Sequence, residues 1–131
     1  MSKRIPLLAV EDEQHIRNIL QYNLKLDGFD VYCAENGRKG LDMAHKQEFA
    51  VILLDWMMPE MNGLEVLSEL KHDSRTEHIP VFMLTAKAMI GDMDKAFAIG
   101  ADDYITKPFD PWLLGKSIRK KLQECTRAAS K

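Results

Sequence analysis

The stretch AVILLD at residues 50–55 decides the fold. Five apolar residues in unbroken succession make a strand length, and a strand without polar alternation is one buried on both faces. The run closes on a carboxylate, Asp55. Comparable apolar runs stand at 5–10, 29–34, 80–84 and 104–106, and the segments between them have helical period. The first segment carries Ile16, Ile19, Leu20 and Leu24 and stops at Asp27-Gly28, where glycine suits a helix end. The second opens at the N-cap Asn36 and continues through Leu41 and Ala44, and the third carries Leu64, Leu67 and Leu70. A fourth carries Met89, Met93 and Phe97 and ends at Gly100. Asp110-Pro111, a cap followed by proline at the first helical position, opens the last, which continues with Leu114, Ile118 and Leu122.

Five strands alternating with five helices predict one α/β domain over 1–131, with its core at about 4–125 and a short polar tail. Right-handed crossovers place helices on both faces of a parallel sheet, a doubly wound three-layer sandwich. The pattern alone leaves the strand order open.

Charge narrows the function classes. Eighteen Lys and Arg against 20 Asp and Glu leave a formal charge of −2, which argues against direct nucleic-acid binding. Lys116, Arg119, Lys120, Lys121, Arg127 and Lys131 make the last helix basic, as befits a solvated face near the negative end of a helix dipole. No apolar run approaches the ~20 residues that span a bilayer, and MSKRIPLLAV has no signal-peptide layout, so a cytoplasmic protein without membrane contact is expected. Cys33 and Cys125 lack any CxxC spacing and read as reduced thiols, while His15, His45, His72 and His78 show no ligand spacing and read as exposed.

The chemistry lies where the strands end. The first is followed by Glu11-Asp12, the third ends in Asp55, the fourth reaches Thr85 and the fifth reaches Lys107. Ligands of an open parallel sheet bind beyond the carboxyl ends of its strands, so these side chains are expected on one rim. Any one of them alone would be an ordinary cap or turn former, but four strand ends with complementary chemistry are a site. Glu11, Asp12 and Asp55 repel one another unless they share a cation, and hard oxygen ligands with positions left for water and phosphate suit Mg²⁺. Lys107 adds a compact positive charge and Thr85 a hydroxyl, the parts that hold a phosphoryl group in line with an attacking carboxylate. Asp55, alone at its strand end, is the candidate nucleophile.

Four segments in order and spacing, VEDE at 10–13, DWMMPEMNG at 55–63, LTAK at 84–87 and GADDYITKPF at 100–109, resemble the receiver domain of two-component response regulators over nearly the whole chain. The resemblance implies a flavodoxin-like fold of strand order 2-1-3-4-5. It implies that Asp55 accepts a phosphoryl group from the phosphohistidine of a sensor kinase or phosphotransfer protein, with the domain promoting its own phosphorylation and slow autodephosphorylation. It further implies Mg²⁺ held by Asp12, Asp55, the backbone carbonyl of Met57 and, through water, Glu11. Thr85, Ala86 and Lys107 would meet the phosphoryl oxygens, Thr85 and Tyr104 would act as the switch, and Lys107-Pro108 would be cis. Met57, Met58 and Met61 read as packing side chains rather than soft-metal ligands.

Transcription-factor receivers dimerise through charged pairs on the fourth helix, fifth strand and fifth helix. Here Met93 and Leu113 stand at two of those places, Asp103 remains and Ser117 replaces a basic residue. An apolar face of Met89, Ile90, Met93, Tyr104, Trp112 and Leu113 is therefore expected, serving a downstream protein target or a homodimer. Three readings remain open: a stand-alone receiver, a receiver belonging to a longer regulator with a DNA-binding or enzymatic output domain, and a phosphohydrolase with an aspartyl-phosphate intermediate. The last needs a second Asp where Met57 stands. Neither GxGxxG nor GxxxxGKT occurs, which argues against a nucleotide-binding module.

Overall fold

The computed structural model describes residues 4–129, without the side chains of 127–129, so the basic side chains of Arg127 and Lys131 lie outside the described residues. The chain runs β1 (Ile5–Val10), α1 (Gln14–Leu26), β2 (Phe29–Ala34), α2 (Gly37–Lys46), β3 (Val51–Asp55), α3 (Gly63–Lys71), β4 (Val81–Ala86), a 3-10 segment (Lys87–Asp92), α4 (Met93–Ile99), β5 (Asp103–Lys107) and α5 (Pro111–Ala129). All neighbouring strands pair in parallel, in the order β2-β1-β3-β4-β5. No described helix is long and apolar enough to cross a membrane.

Period-two alternation divides the core. Leu8, Val10, Ile52, Leu54, Val81 and Met83 point to one side, where α2, α3 and α4 supply Leu41, Val66, Leu67, Leu70, Met93 and Ala96. Leu7, Ala9, Leu53, Phe82 and Leu84 point to the other, against Leu20 and Leu24 of α1 and Leu114 and Ile118 of α5. Every residue of β3 is buried, whereas the edge strands β2 and β5 are largely half-buried, the pattern that a sheet covered on both faces imposes.

Helix ends follow local chemistry. Asp27 ends α1 and Gly28 takes φ 93°, a conformation that costs glycine little. The Asn36 side chain accepts from the Lys39 N–H at 2.9 Å, and Asp110 Oδ1 accepts from the Trp112 N–H at 2.9 Å. Asn62 and Glu65 form a capping box on α3, each side chain accepting from the other's backbone N–H.

The fourth helix departs from expectation. Its first part is a 3-10 segment with no buried residue and no side-chain cap, and Gly91 within it has nothing near the place of a Cβ. With only Met89 packed partly against the core there, a regular α-helix gains little from packing until Met93. Met93 itself is 3% exposed, so it belongs to the core and not to the expected apolar surface. Met58 and Met61 pack as expected, but Met57 is 65% exposed and does not.

The loop from β3 to α3 is tightly drawn. Gly63 N–H donates to the Trp56 carbonyl at 2.8 Å, and a Cβ on Gly63 would collide with the Asp55 carbonyl oxygen and lie 2.8 Å from Trp56 Cα. Both obstacles are backbone and cannot swing aside. Gly63→Ala is therefore expected to destabilise the protein by about 2–3 kcal/mol in urea unfolding. Gly91→Ala, placed in open space, is expected to gain about 0.5–1 kcal/mol. Equal small effects at both positions would contradict this account of the loop.

Candidate functional site

Register brings the strand ends to one rim. Val10 pairs with Leu54, Asp55 with Leu84, Thr85 with Thr106 and Ala86 with Lys107, so residues after the last pairs of β1, β3, β4 and β5 emerge side by side. Ligand oxygens of Glu11, Asp12 and Asp55 lie within 4.8 Å of one another. Lys107 Nζ donates to Glu11 Oε1 at 2.6 Å and to Asp55 Oδ1 at 3.1 Å. Glu11 is fully buried, Asp55 and Thr85 nearly so, and Asp12 is half-exposed at the mouth. The Lys107-Pro108 bond is cis.

Electrostatics follow from this crowding. Burial, and then the Glu11 charge, push the Asp55 carboxyl up to about 7, against the opposing pull of Lys107. Burial works against the Lys107 ammonium, but its hydrogen bond to Glu11 and the charges of Asp55 and Glu11 outweigh it and hold its pKa above the ordinary lysine value. The donor set contains only carboxylate oxygens, with no sulfur or imidazole, and so fits a hard divalent cation.

Other expected site residues are placed less closely. Thr85 sits at the end of β4, and its hydroxyl donates to the Ala86 carbonyl at 3.3 Å rather than to Asp55. Ala86 is exposed beside it. Tyr104 is half-buried on β5, packed edge-on against Phe97 of α4 with ring centroids 6.4 Å apart. Trp112 and Leu113 are 76% and 59% exposed, and Leu113 lines a groove of about 580 Å³ between β5 and α5. Asp103 pairs with Lys121 of the same chain at 3.2 Å. The two cysteines are unpaired and half-buried, and all four histidines are exposed.

Two residues that sequence reasoning does not single out complete the frame of the site. The Glu13 N–H donates to Glu11 Oε2 at 3.1 Å, and the Arg17 guanidinium donates to the Glu11 carbonyl at 2.7 Å. Their only sequence signal is position, within the first turns after the Glu11-Asp12 pair.

A family model for the response regulator receiver domain matches residues 7–119, and the chain belongs to that family, the receivers of two-component systems. It is similar to the chemotaxis response regulator CheY4 of Vibrio cholerae, with 32% identity over 91% of this chain and 99% of the other and a TM-score of 0.85. A CheY-like receiver domain protein of Methanospirillum hungatei aligns at 27% identity over 96% of this chain and 99% of that one, with a TM-score of 0.86. The receiver domain of a Pseudomonas aeruginosa sensor histidine kinase, whose structure has a magnesium ion coordinated in its active-site cleft, aligns at 25% identity over 92% and 98%, with a TM-score of 0.82.

The raised Asp55 pKa sets a pH dependence. Unfolded, this carboxyl titrates near its ordinary 3.8, and folded it titrates at about 7, so between these values the native state binds more protons than the unfolded one. Stability from this group is complete below the lower value and is lost as pH rises through the upper one. Without metal, Asp55→Asn is expected to raise the unfolding midpoint at pH 8 by about 3 °C, on the order of 1 kcal/mol, with the advantage shrinking towards pH 4. Thermal melts in chelator across that range would disprove the account if the advantage grew on acidification.

Proposed function

We propose that this receiver takes a phosphoryl group onto Asp55 from the phosphohistidine of a sensor histidine kinase or phosphotransfer protein, with Mg²⁺, and that the modification switches the face of α4, β5 and α5. The observation that carries the reading is the convergence on Asp55: two further carboxylates with ligand oxygens within 4.8 Å and an ammonium at 3.1 Å, at the end of a fully buried strand. In the transfer, a carboxylate oxygen of Asp55 bonds to phosphorus while the bond from phosphorus to the donor imidazole nitrogen breaks. The imidazole leaves with the bonding pair. Asp55 acts as the anion, and Lys107 favours that form.

Glu11, Asp12 and Asp55, with the backbone carbonyl of Met57, would hold the metal, which when bound supplies positive charge against which a phosphoryl oxygen can approach the carboxylates. Lys107 supplies a fixed ammonium to the same oxygens. The Thr85 hydroxyl would exchange the Ala86 carbonyl for a phosphoryl oxygen, and the small side chain of Ala86 leaves that approach open. Drawing Thr85 towards Asp55 opens space beside Tyr104, whose ring is held by an edge contact with Phe97 that can be remade in another position.

Downstream, the exposed Trp112 and Leu113 and the half-exposed Phe97 support output by apolar contact with a protein target or a second copy. The internal pairing of Asp103 with Lys121 already engages the charge that a salt-bridged dimer would use.

Incubation with acetyl phosphate and Mg²⁺ is expected to add one phosphoryl group, labile to hydroxylamine and stable to acid. Asp55→Asn should abolish it, excess chelator should abolish it, and Asp12→Ala should reduce it more than Glu11→Gln. A comparable label on Asp55→Asn, read by intact mass, would sink the assignment.

A further inference from the structure

We infer that Arg17 is a positioning residue for the metal site, holding the peptide group that carries Asp12. The inference rests on the Mg²⁺ reading above and adds a residue outside the carboxylate cluster. The Arg17 guanidinium donates to the Glu11 carbonyl oxygen at 2.7 Å. That oxygen belongs to the planar unit that ends at Asp12 Cα, so fixing it fixes the direction in which Asp12 leaves the backbone.

Asp12 needs such a hold more than its neighbours do. The Glu11 side chain is tied at both oxygens, by Lys107 at 2.6 Å and by the Glu13 N–H at 3.1 Å, and the Glu11 N–H donates to the Ala34 carbonyl at 3.0 Å. Asp55 is carried by β3, has Lys107 at 3.1 Å, and is almost fully buried. Asp12, in contrast, is half-exposed in the link between β1 and α1, and among the described residues its carboxylate has two other carboxylates as neighbours and no hydrogen-bond donor or cation paired with it. On its helix side the link is tied by the Glu13 N–H to Glu11 Oε2, but Glu13 adds no side-chain cap and the first turn has no acidic residue. Arg17, half-buried and carried by α1, ties the helix back to the peptide on which Asp12 depends.

Charge and geometry predict opposite signs. A guanidinium near a cation site repels the cation, so if Arg17 acted by charge alone its removal would tighten Mg²⁺ binding. If it positions Asp12, its removal must weaken binding, as loss of an outer partner of a metal ligand does.

The test is a Mg²⁺ titration of the full chain by the fluorescence of Trp56, which is buried next to Asp55, in a Trp112→Phe background that removes the exposed indole. Arg17→Ala is expected to raise the Mg²⁺ Kd about tenfold. Arg17→Lys, which keeps the charge and one donor, should stay closer to the parent. Metal-free urea melts report whether each variant is folded, and Arg17→Gln takes the place of the alanine variant should that one fail to fold. A Kd unchanged or lowered in the Ala or Gln variant overturns the inference while leaving the Mg²⁺ reading intact. A parent protein without saturable response, or an Asp12→Ala variant that binds as the parent does, overturns that reading and this inference with it.

Discussion

Lys107 holds a charge inside the protein, and the rest of the site depends on how it does so. Its ammonium lies between Glu11, at 2.6 Å, and Asp55, at 3.1 Å, groups 96 and 52 residues away in sequence. Buried charges persist only when paired, and removing Lys107, the one cation of the three, would leave two buried carboxylates uncompensated at a cost of about 3–5 kcal/mol. Three such groups meet only if the ends of β1, β3 and β5 share a rim, which the parallel order β2-β1-β3-β4-β5 arranges. To reach β3 and β1 from β5, the lysine must pass β4, whose end carries the small residues Thr85 and Ala86.

Much of this was legible because buried parallel strands leave an unusually plain trace. The runs at 5–10 and 29–34 match β1 and β2 to the residue, and the carboxylates and lysine stand where apolar character stops. Asn36, Asp110 and Gly28 marked helix ends through chemistry local to a few residues, which a sequence displays directly. Tertiary context was harder to read. Met89, Met93 and Phe97 keep helical spacing, yet Met93 is buried in the core while Phe97 is 43% exposed, its ring set against half-buried Tyr104 of the edge strand β5, where the sheet offers less cover. The hold of Arg17 on the Glu11 carbonyl also escaped notice, since hydrogen bonds to backbone leave no pattern in residue type.

Stability is distributed unevenly around the rim. Asp55 is kept in a place where its charged form is costly, a loss of stability that fits a group meant to react and not to hold the fold together. Glu60, in the following loop, takes φ 65°, a second local cost at the same edge. Against these stand the buried apolar residues 51–54 of β3, the capping box of α3 and the two apolar layers, none of which draws on the charged site.

The two ends of α4 are held unequally. At its C-terminal end Gly100 and Ala101 both donate to the Ala96 carbonyl, and Asp102 N–H donates to the Val81 carbonyl. Lys71 then joins Asp102 to the carbonyls of Glu77 and Ile79. At the other end, the 3-10 segment that leads from Ala86 has no buried residue and no side-chain cap. Local opening is cheapest where few apolar contacts must be given up, so a displacement begun at Thr85, as proposed above, would meet less resistance over 87–92 than at Gly100. Under the proposed phosphorylation such a constraint would turn a small movement at the site into a tilt of α4 about its anchored end, and the contact of Phe97 with Tyr104 would carry that tilt to the exposed surface.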